Sequence, residues 1–359
     1  MKFKILILTE NYPDYDVPYA MSYVHSRNLE YIKQNVDVDV MNFSAKGKYE
    51  FENVNVLSRF DLIEFDQYDA VFSHAPNLKN HLKLLLSNIN KIKVLVFFFH
   101  GHEVLKINEY YPEKYSWQRK HSTLKVLFQN SYDYLKLFLI KSFIKKFRKK
   151  IKVVYVSSWM REAARNCLGL NENLPYLKEY IINNPANFIF VENKYQFLPK
   201  DKLGDFITIR PLDDRKYAVD LVVEMARNNP EYIFHIYGKG EYFKYNKQPG
   251  NVVVYDKFIN QSEIPKLLNY YKCALMPTRL DAQGVMMCEI ATYGMPLITS
   301  NLDVCKEMLS DFKNVQFVCN DKFATFKVNS VFDKQECQLN RRFDAENIAR
   351  KELEILNDA

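Results

Sequence analysis

Two carboxylates eight residues apart, Asp281 and Glu289, frame the most informative stretch of this 359-residue chain. Gly284 lies between them, and Gly294-Met295-Pro296 and a short apolar run follow. The pattern predicts a loop carrying Asp281, a helix entered near Gly284 with Glu289 on its first turns, a stop at the Gly-x-Pro, and a buried strand over 297–299. A loop-to-helix junction exposes backbone N–H groups and a partial positive charge, a natural seat for phosphate. Carboxylates flanking such a seat suit sugar hydroxyls. The local chemistry fits a ligand that is part phosphate and part polyol.

Other segments carry related chemistry. In Ile209-Arg210-Pro211-Leu212-Asp213-Asp214-Arg215-Lys216 a strand ends in Arg210 and a helix starts near Lys216. Cations at a strand's carboxyl end, beside a helix N-terminus, can hold a diphosphate from several sides. Arg215 rivals Lys216 for the second position. Tyr237-Gly238-Lys239-Gly240 is a strand followed by a Gly-x-Gly turn, a pattern that any strand-to-helix turn shares. In the first half a buried Phe97-Phe98-Phe99 strand delivers His100 to its end, and Gly101 permits close backbone approach. His102 and Glu103 read either as site groups or as solvent-facing side chains. Val156-Ser157-Ser158 is a strand-to-helix turn, which a helix cap by either serine explains equally well.

The segment 281–289 resembles the acidic E-x7-E signature of retaining, GT-B fold glycosyltransferases of family 4 (glycosyl transferases group 1), with Asp281 standing for the first Glu. The resemblance covers the chain loosely and residues 205–310 specifically. It implies an α/β fold of GT-B architecture, two Rossmann-like doubly wound domains facing an interdomain cleft. It also implies roles. Arg210 and Lys216 become the donor-diphosphate pair, and Glu289 holds the ribose hydroxyls. Asp281, with backbone N–H groups around Gln283, Gly284 and Val285, orients the donor sugar. Gly238 lies near the nucleotide base, Glu307 opens the next helix on the donor side, and His100 contacts the transferred sugar. The donor is a nucleotide-diphosphate sugar, with no metal and no other cofactor, and the acceptor is a glycan or lipid-linked precursor. Two departures stand out. The expected glycine-rich loop after the first strand is replaced by residues 10–20, and Asp281 is one methylene shorter than Glu. A nucleotide-sugar epimerase, a phosphorylase and a non-catalytic partner subunit are the competing readings.

The elements that must position these groups alternate along the chain. Strands are expected at 4–8, 36–41, 70–73, 93–99 and 153–157, and again at 206–210, 232–237, 252–255 and 273–276. Helices are expected at 21–34, 78–89, 159–167, 218–228, 264–271 and 344–356. This alternation argues for mostly parallel sheets. The turn signal Asn183-Asn184-Pro185 separates a domain at 1–183 from one at 184–340, and residues 341–359 form a C-terminal helix packing back toward the first domain. The six cysteines (Cys167, Cys273, Cys288, Cys305, Cys319, Cys337) have no metal-like spacing and read as free thiols in a reducing cytoplasm.

Charge is uneven. Residues 1–180 hold 27 Lys and Arg against 19 Asp and Glu, and residues 181–359 hold 23 against 24, so the basic excess belongs to the first half. It concentrates in 134–152, expected as one helix with eight cations and no acid beyond residue 133. Lys141, Lys145, Phe147, Arg148 and Lys149 are the candidates for contact with an anionic membrane surface. A solvated basic face is the alternative. No nucleic-acid reader motif accompanies the patch. No run of 18 apolar residues predicts a spanning helix, and residues 1–10 read as a first strand rather than a signal peptide. The expected location is cytoplasmic, peripheral to the inner face of the membrane.

Overall fold

The computed structural model describes residues 2–17, 20–119, 122–170, 174–328 and 340–358; Cys337 lies outside them. The chain forms two compact units, Met1–Ile107 with Val126–Pro185 and Asp344–Ala359, and Asn108–Lys125 with Ala186–Phe343.

The first unit is built on eight strands: β1 (Lys4–Thr9), β2 (Asp37–Asn42), β3 (Tyr49–Phe51), β4 (Val54–Ser58), β5 (Ala70–His74), β6 (Leu95–Phe99), β7 (Ile151–Tyr155) and β8 (Lys178–Ile181). They lie in the order β3-β4-β2-β1-β5-β6-β7-β8. Every neighbouring pair is parallel except β3 with β4. β5, β6 and β7 are buried at every position, and β6 is accordingly a continuous apolar run in place of alternation. Its helices are α1 (Ser22–Lys33), α2 (Lys83–Asn88), most of α4 (Thr123–Phe147) and α5 (Ser158–Leu168); α3 (Ile107–Tyr110) begins where the chain passes into the second unit. Ser157 caps α5, its hydroxyl accepting from Met160 N–H at 3.0 Å. The helix expected over 78–89 is instead a π-type turn, Leu78–Leu82, leading into α2.

The second unit carries β9 (Gly204–Ile209), β10 (Phe234–Tyr237), β11 (Val252–Tyr255), β12 (Tyr271–Met276), β13 (Leu297–Ser300) and β14 (Val315–Val318), all parallel, in the order β11-β10-β9-β12-β13-β14. Its helices are α6 (Phe188–Glu192), α7 (Val219–Asn228), α8 (Tyr242–Tyr245), α9 (Ile264–Leu268), α10 (Val285–Tyr293) and α11 (Asp303–Leu309). Both sheets are therefore of the doubly wound kind. In each, strand order reverses once, between β1 and β5 and between β9 and β12. Such switch points open a crevice at the strands' carboxyl ends.

Two findings differ from the sequence reading. Residues 108–125 group with the second unit rather than with the rest of 1–183. The reason is packing: Tyr115 is buried in that unit's core with Phe206, Leu212, Val222 and Tyr242, and its hydroxyl reaches Asp220 at 3.1 Å. The basic helix does not run to residue 152. α4 ends at Phe147, and Ile151 and Lys152 begin β7. Five of the eight cations bind carbonyls within the first unit, Arg148 that of Lys145 in its own segment. Lys136 Nζ donates to His102 O and Leu105 O, Lys141 Nζ to Gly169 O, and Lys150 Nζ to Ile89 O and Ile92 O. Lys152 Nζ donates to Ile355 O and Asp358 O.

The last helix, α12 (Ala345–Asn357), belongs to the first unit and packs on α1. Asp344 caps it, accepting from Glu346 N–H and Asn347 N–H. Beneath, Arg27 Nε meets Glu352 Oε1 at 2.8 Å with both side chains fully buried, and the Tyr31 hydroxyl donates to Glu352 Oε2 at 2.5 Å.

Candidate active site

At the second unit's switch point, the loops after β9 and β12 are joined. The Lys216 carbonyl accepts from Arg279 N–H at 2.7 Å and from the Thr278 hydroxyl at 3.0 Å. The Arg279 guanidinium grips the Asp220 carboxylate at 2.7 and 2.6 Å, and also donates to Arg215 O at 3.0 Å. The cationic loop and the acidic loop, nearly seventy positions apart in sequence, thus form one structure. Sequence reasoning missed this brace. Its only signal was an Asp in the first turn of α7 and an Arg two residues before Asp281.

Arg210 follows β9 directly and is only 5% exposed. Its guanidinium lies 5.1 Å from the Tyr217 ring centroid, and its Nε and Nη2 have no hydrogen-bond partner. A buried cation with unmatched donors is costly unless an anion engages it. Lys216 sits in the one-turn 3₁₀ helix Arg215–Tyr217 directly ahead of α7. Its Nζ is 3.4 Å from Asp214 Oδ2 and lies over the Tyr217 and Tyr111 rings at 4.8 and 5.6 Å. Burial pulls the Lys216 ammonium down, but Tyr217, Asp214, Tyr111 and Asp281 together hold it above its ordinary range. Arg215, the rival, donates to Glu113 O at 3.4 Å.

Gly238 is required by packing. A Cβ there would stand 1.8 Å from the Arg210 carbonyl oxygen, so the turn after β10 can press against the Arg210 backbone only as glycine.

Asp281 turns back on its own loop. Its Oδ1 accepts from Gln283 N–H at 3.2 Å and Gly284 N–H at 2.7 Å. The amides expected to face a ligand at Gln283 and Gly284 therefore hold Asp281 in place, and only Val285, first residue of α10, is not drawn into that turn. Gly284 takes φ 74 at the head of α10, where no side chain caps the helix. Gln283 is buried. Glu289 projects from α10 into the interior, 2% exposed. Its Oε1 accepts from Asn187 N–H and Gln261 Nε2, both at 3.0 Å. Burial raises its carboxyl to about 7 despite these two hydrogen bonds. Glu307 lies on α11, part-exposed.

In the first unit His100 stands just past β6. Glu103 is buried, with Oε1 accepting from His100 N–H and from Gly101 N–H, so it is a turn-forming group and not solvent-facing. His102 is exposed. Among the described residues no group of three or more His, Cys, Asp or Glu is placed to hold a metal ion. The described cysteines, Cys167, Cys273, Cys288, Cys305 and Cys319, are free thiols. Of the membrane-contact candidates, Lys145 on α4 and Lys149 in the turn after it are exposed. Arg148 Nη1 donates to Lys145 O, and Phe147 packs on Phe143 at 5.0 Å.

Residues 191–350, most of the second unit and the start of α12, match the family model described as glycosyl transferases group 1. An uncharacterized 41.2 kDa protein in the cps region of Klebsiella pneumoniae is 28% identical over 120 residues. That match spans 33% of this chain and 33% of the relative's length. Solved structures align along nearly the whole chain. The sucrose-phosphate synthase of Thermosynechococcus elongatus gives a TM-score of 0.70 at 9% identity over 99% of each chain. Trehalose-6-phosphate synthase OtsA gives 0.65 at 10% identity over 99% of each. An E. coli trehalose-6-phosphate structure bound with UDP-2-fluoro glucose gives 0.63 at 9% identity, again over 99% of each. At these identities the likeness shows the fold, which is the GT-B fold of glycosyltransferases.

Proposed function

We propose, for a chain whose residues 191–350 match glycosyl transferases group 1, a retaining glycosyltransferase that moves a sugar from a nucleotide-diphosphate sugar to a hydroxyl acceptor. The observation that carries this reading is Arg210: a buried guanidinium with unmatched donors at a switch point, joined through one loop to Lys216. Two cations converging there stabilise charge developing on a leaving diphosphate, the main electrostatic demand of the reaction. Glu289 faces the ribose hydroxyls. Asp281 acts by shaping the loop whose N-terminal helix amides meet the donor. The acceptor oxygen bonds to the anomeric carbon as the carbon–phosphate oxygen bond breaks, and the departing diphosphate takes the acceptor's proton. No separate base is needed.

The acceptor in this proposal is a cell-envelope or lipid-linked glycan precursor. The cps-region relative supports that direction. So does α4, which exposes Leu124, Leu127, Phe128, Leu135 and Phe138 alongside exposed Lys125, Lys145 and Lys146, with Lys149 exposed in the turn that follows, while its one acid, Asp133, is buried against Lys136. Apolar surface with a cationic rim suits an anionic lipid surface. No helix among the described residues is long and apolar enough to cross a membrane.

The test is thermal stabilisation by UDP, GDP, ADP and CMP, each with and without Mg²⁺. We expect one nucleoside diphosphate to raise the Tm, without need of Mg²⁺, and the shift to shrink in Glu289→Ala and vanish in Lys216→Ala. No shift with any nucleotide would favour a non-catalytic subunit. Conversion of the nucleotide sugar without an acceptor would favour an epimerase, and dependence on inorganic phosphate a phosphorylase.

A further inference from the structure

Between β6 and α4 the chain lends residues 111–118 to the second unit, where they sit against the loop that carries Lys216. Residues 115–118 close a turn of their own. Gln118 N–H donates to Tyr115 O at 3.0 Å, and Tyr115 N–H donates back to Gln118 Oε1 at 3.1 Å. Aromatic rings seat this turn. Trp117 lies flat on Tyr245, with centroids 4.6 Å apart at 8°, and Tyr115 meets Tyr242 edge-on at 5.2 Å. From that seat two side chains reach the cationic loop. Gln118 Nε2 donates to Asp213 O at 2.7 Å. The Tyr115 hydroxyl donates to Asp220 Oδ1, the same oxygen that Arg279 Nη1 grips. Arg215 Nη1 in return donates to Glu113 O, and the Lys216 ammonium lies over the Tyr111 ring.

We propose that residues 111–118 are a strap that positions Lys216 for the donor diphosphate, acting through Gln118 on Asp213 and through Tyr115, Asp220 and Arg279 on Lys216 itself. The inference rests on the reading of Lys216 as a diphosphate ligand.

The loop needs such a hold. Ala218, at its end, has φ 53, a left-handed conformation that a residue other than glycine keeps only where its surroundings fix it. Bonds within the loop supply part of that. Asp214 Oδ1 accepts from Lys216 N–H at 3.0 Å, and Arg215 O accepts from Ala218 N–H at 3.1 Å. The rest comes from outside it. Lys216 O accepts from Arg279 N–H and the Thr278 hydroxyl, and Arg215 O from Arg279 Nη1. Arg279 therefore orients the loop, and Asp220, on the first turn of α7, orients Arg279. The Tyr115 hydroxyl is the third donor on that carboxylate, and three donors on two oxygens fix its rotation. A lysine stem is flexible, so its ammonium finds one phosphate position only when the backbone beneath it is held.

The test is a double-mutant cycle on the full chain, read by calorimetric titration with UDP and UMP, GDP and GMP, and ADP and AMP. Tyr115→Phe removes a hydroxyl and keeps the ring. Combined with Gln118→Ala it should weaken the diphosphate about tenfold, the weight of one to two hydrogen bonds, and leave the monophosphate of the same base unchanged. In a Lys216→Ala background, titrated at higher nucleotide concentration, the same pair of substitutions should cost less than about twofold, because the strap acts through Lys216. Equal losses on both nucleotides, or the full loss in the Lys216→Ala background, overturn the proposal. Hydrogen exchange gives a readout that needs no nucleotide. Amides 213–218 and 279 should exchange faster in the Tyr115→Phe, Gln118→Ala protein, with those of the first-unit sheet unaltered. Unchanged exchange at these amides overturns the proposal as well. Should the double variant fail to fold, Tyr115→Phe alone carries both measurements. Failure of all six nucleotides to bind the unsubstituted protein overturns the reading of Lys216 and the strap's role toward a diphosphate with it, while exchange still decides whether the strap orders the loop.

Discussion

Asp281 and Glu289 show what spacing alone conveys about a residue. Their separation places one on a loop and one on the following helix, and the structure has them there. The spacing does not convey which way each carboxylate turns. Asp281 reaches two amides of its own loop because a short side chain in that position closes an Asx-type turn. Glu289 is carried inward by a helix buried from Met287 to Tyr293. That burial has a measurable consequence. Its carboxyl ordinarily titrates at 4.5 and in the fold at about 7, so between those values the folded state binds a proton that the unfolded state has released. Stability from this group is therefore lost as pH rises through that window. Glu289→Gln should match the unsubstituted protein in thermal denaturation near pH 4 and exceed it above pH 7, by up to about 3 kcal/mol. Equal pH profiles for the two proteins would mean the carboxylate is solvated.

At the scale of elements, α4 is the instructive case. Its cations were legible as a run of Lys and Arg, but their fates were not. Five of the eight cap carbonyls, because a long side chain on a helix end can reach neighbouring carbonyls. The helix also stops earlier than the charge pattern suggested, since Ile151, Val153 and Val154 supply a β-branched run that joins the sheet beside β6. The exposed apolar side chains lie mostly before residue 140, on the part of α4 preceding the lysine cluster. Substituting Leu127, Phe128 and Phe138 together by Ser should abolish co-sedimentation with phosphatidylglycerol-containing vesicles while leaving nucleotide-induced stabilisation intact. Lys145→Ala with Lys149→Ala should instead weaken binding in a salt-dependent way, by about 1 kcal/mol per cation. Retained sedimentation of the triple variant would exclude this face as the contact.

For the whole molecule, the chain leaves the first unit twice and returns to it twice, and contacts distant in sequence fix where. Arg27, Glu352, Asn183 and Asn184 form one buried network across α1, α12 and the end of the first unit: Arg27 Nη2 donates to Asn184 Oδ1 at 3.0 Å and to Asn183 O at 3.3 Å. Burial raises the Glu352 carboxyl, and Arg27 opposes that rise. Arg27→Met leaves an unpaired buried acid and should cost about 3–5 kcal/mol in urea unfolding. The double variant Arg27→Met, Glu352→Leu should recover most of it. A double variant as unstable as the single would show that shape, not charge, decides the fit.

The sequence by itself determined the alternation of strands and helices, the mostly parallel sheets and the helix that follows Gly284, which rest on local periodicity and turn chemistry acting over a few residues. The doubly wound class and the order of the second-unit motifs were implied by the family resemblance. Only the tertiary structure decided that residues 108–125 join the second unit, that Arg279 clasps Asp220 and ties two loops into one, that Asp281 serves its own backbone, and that Tyr115 and Gln118 reach the loop carrying Lys216. Each of these is a pairing between strand ends or loops far apart in the chain. Sheet order brings such groups together, and sheet order is settled by which apolar faces pack.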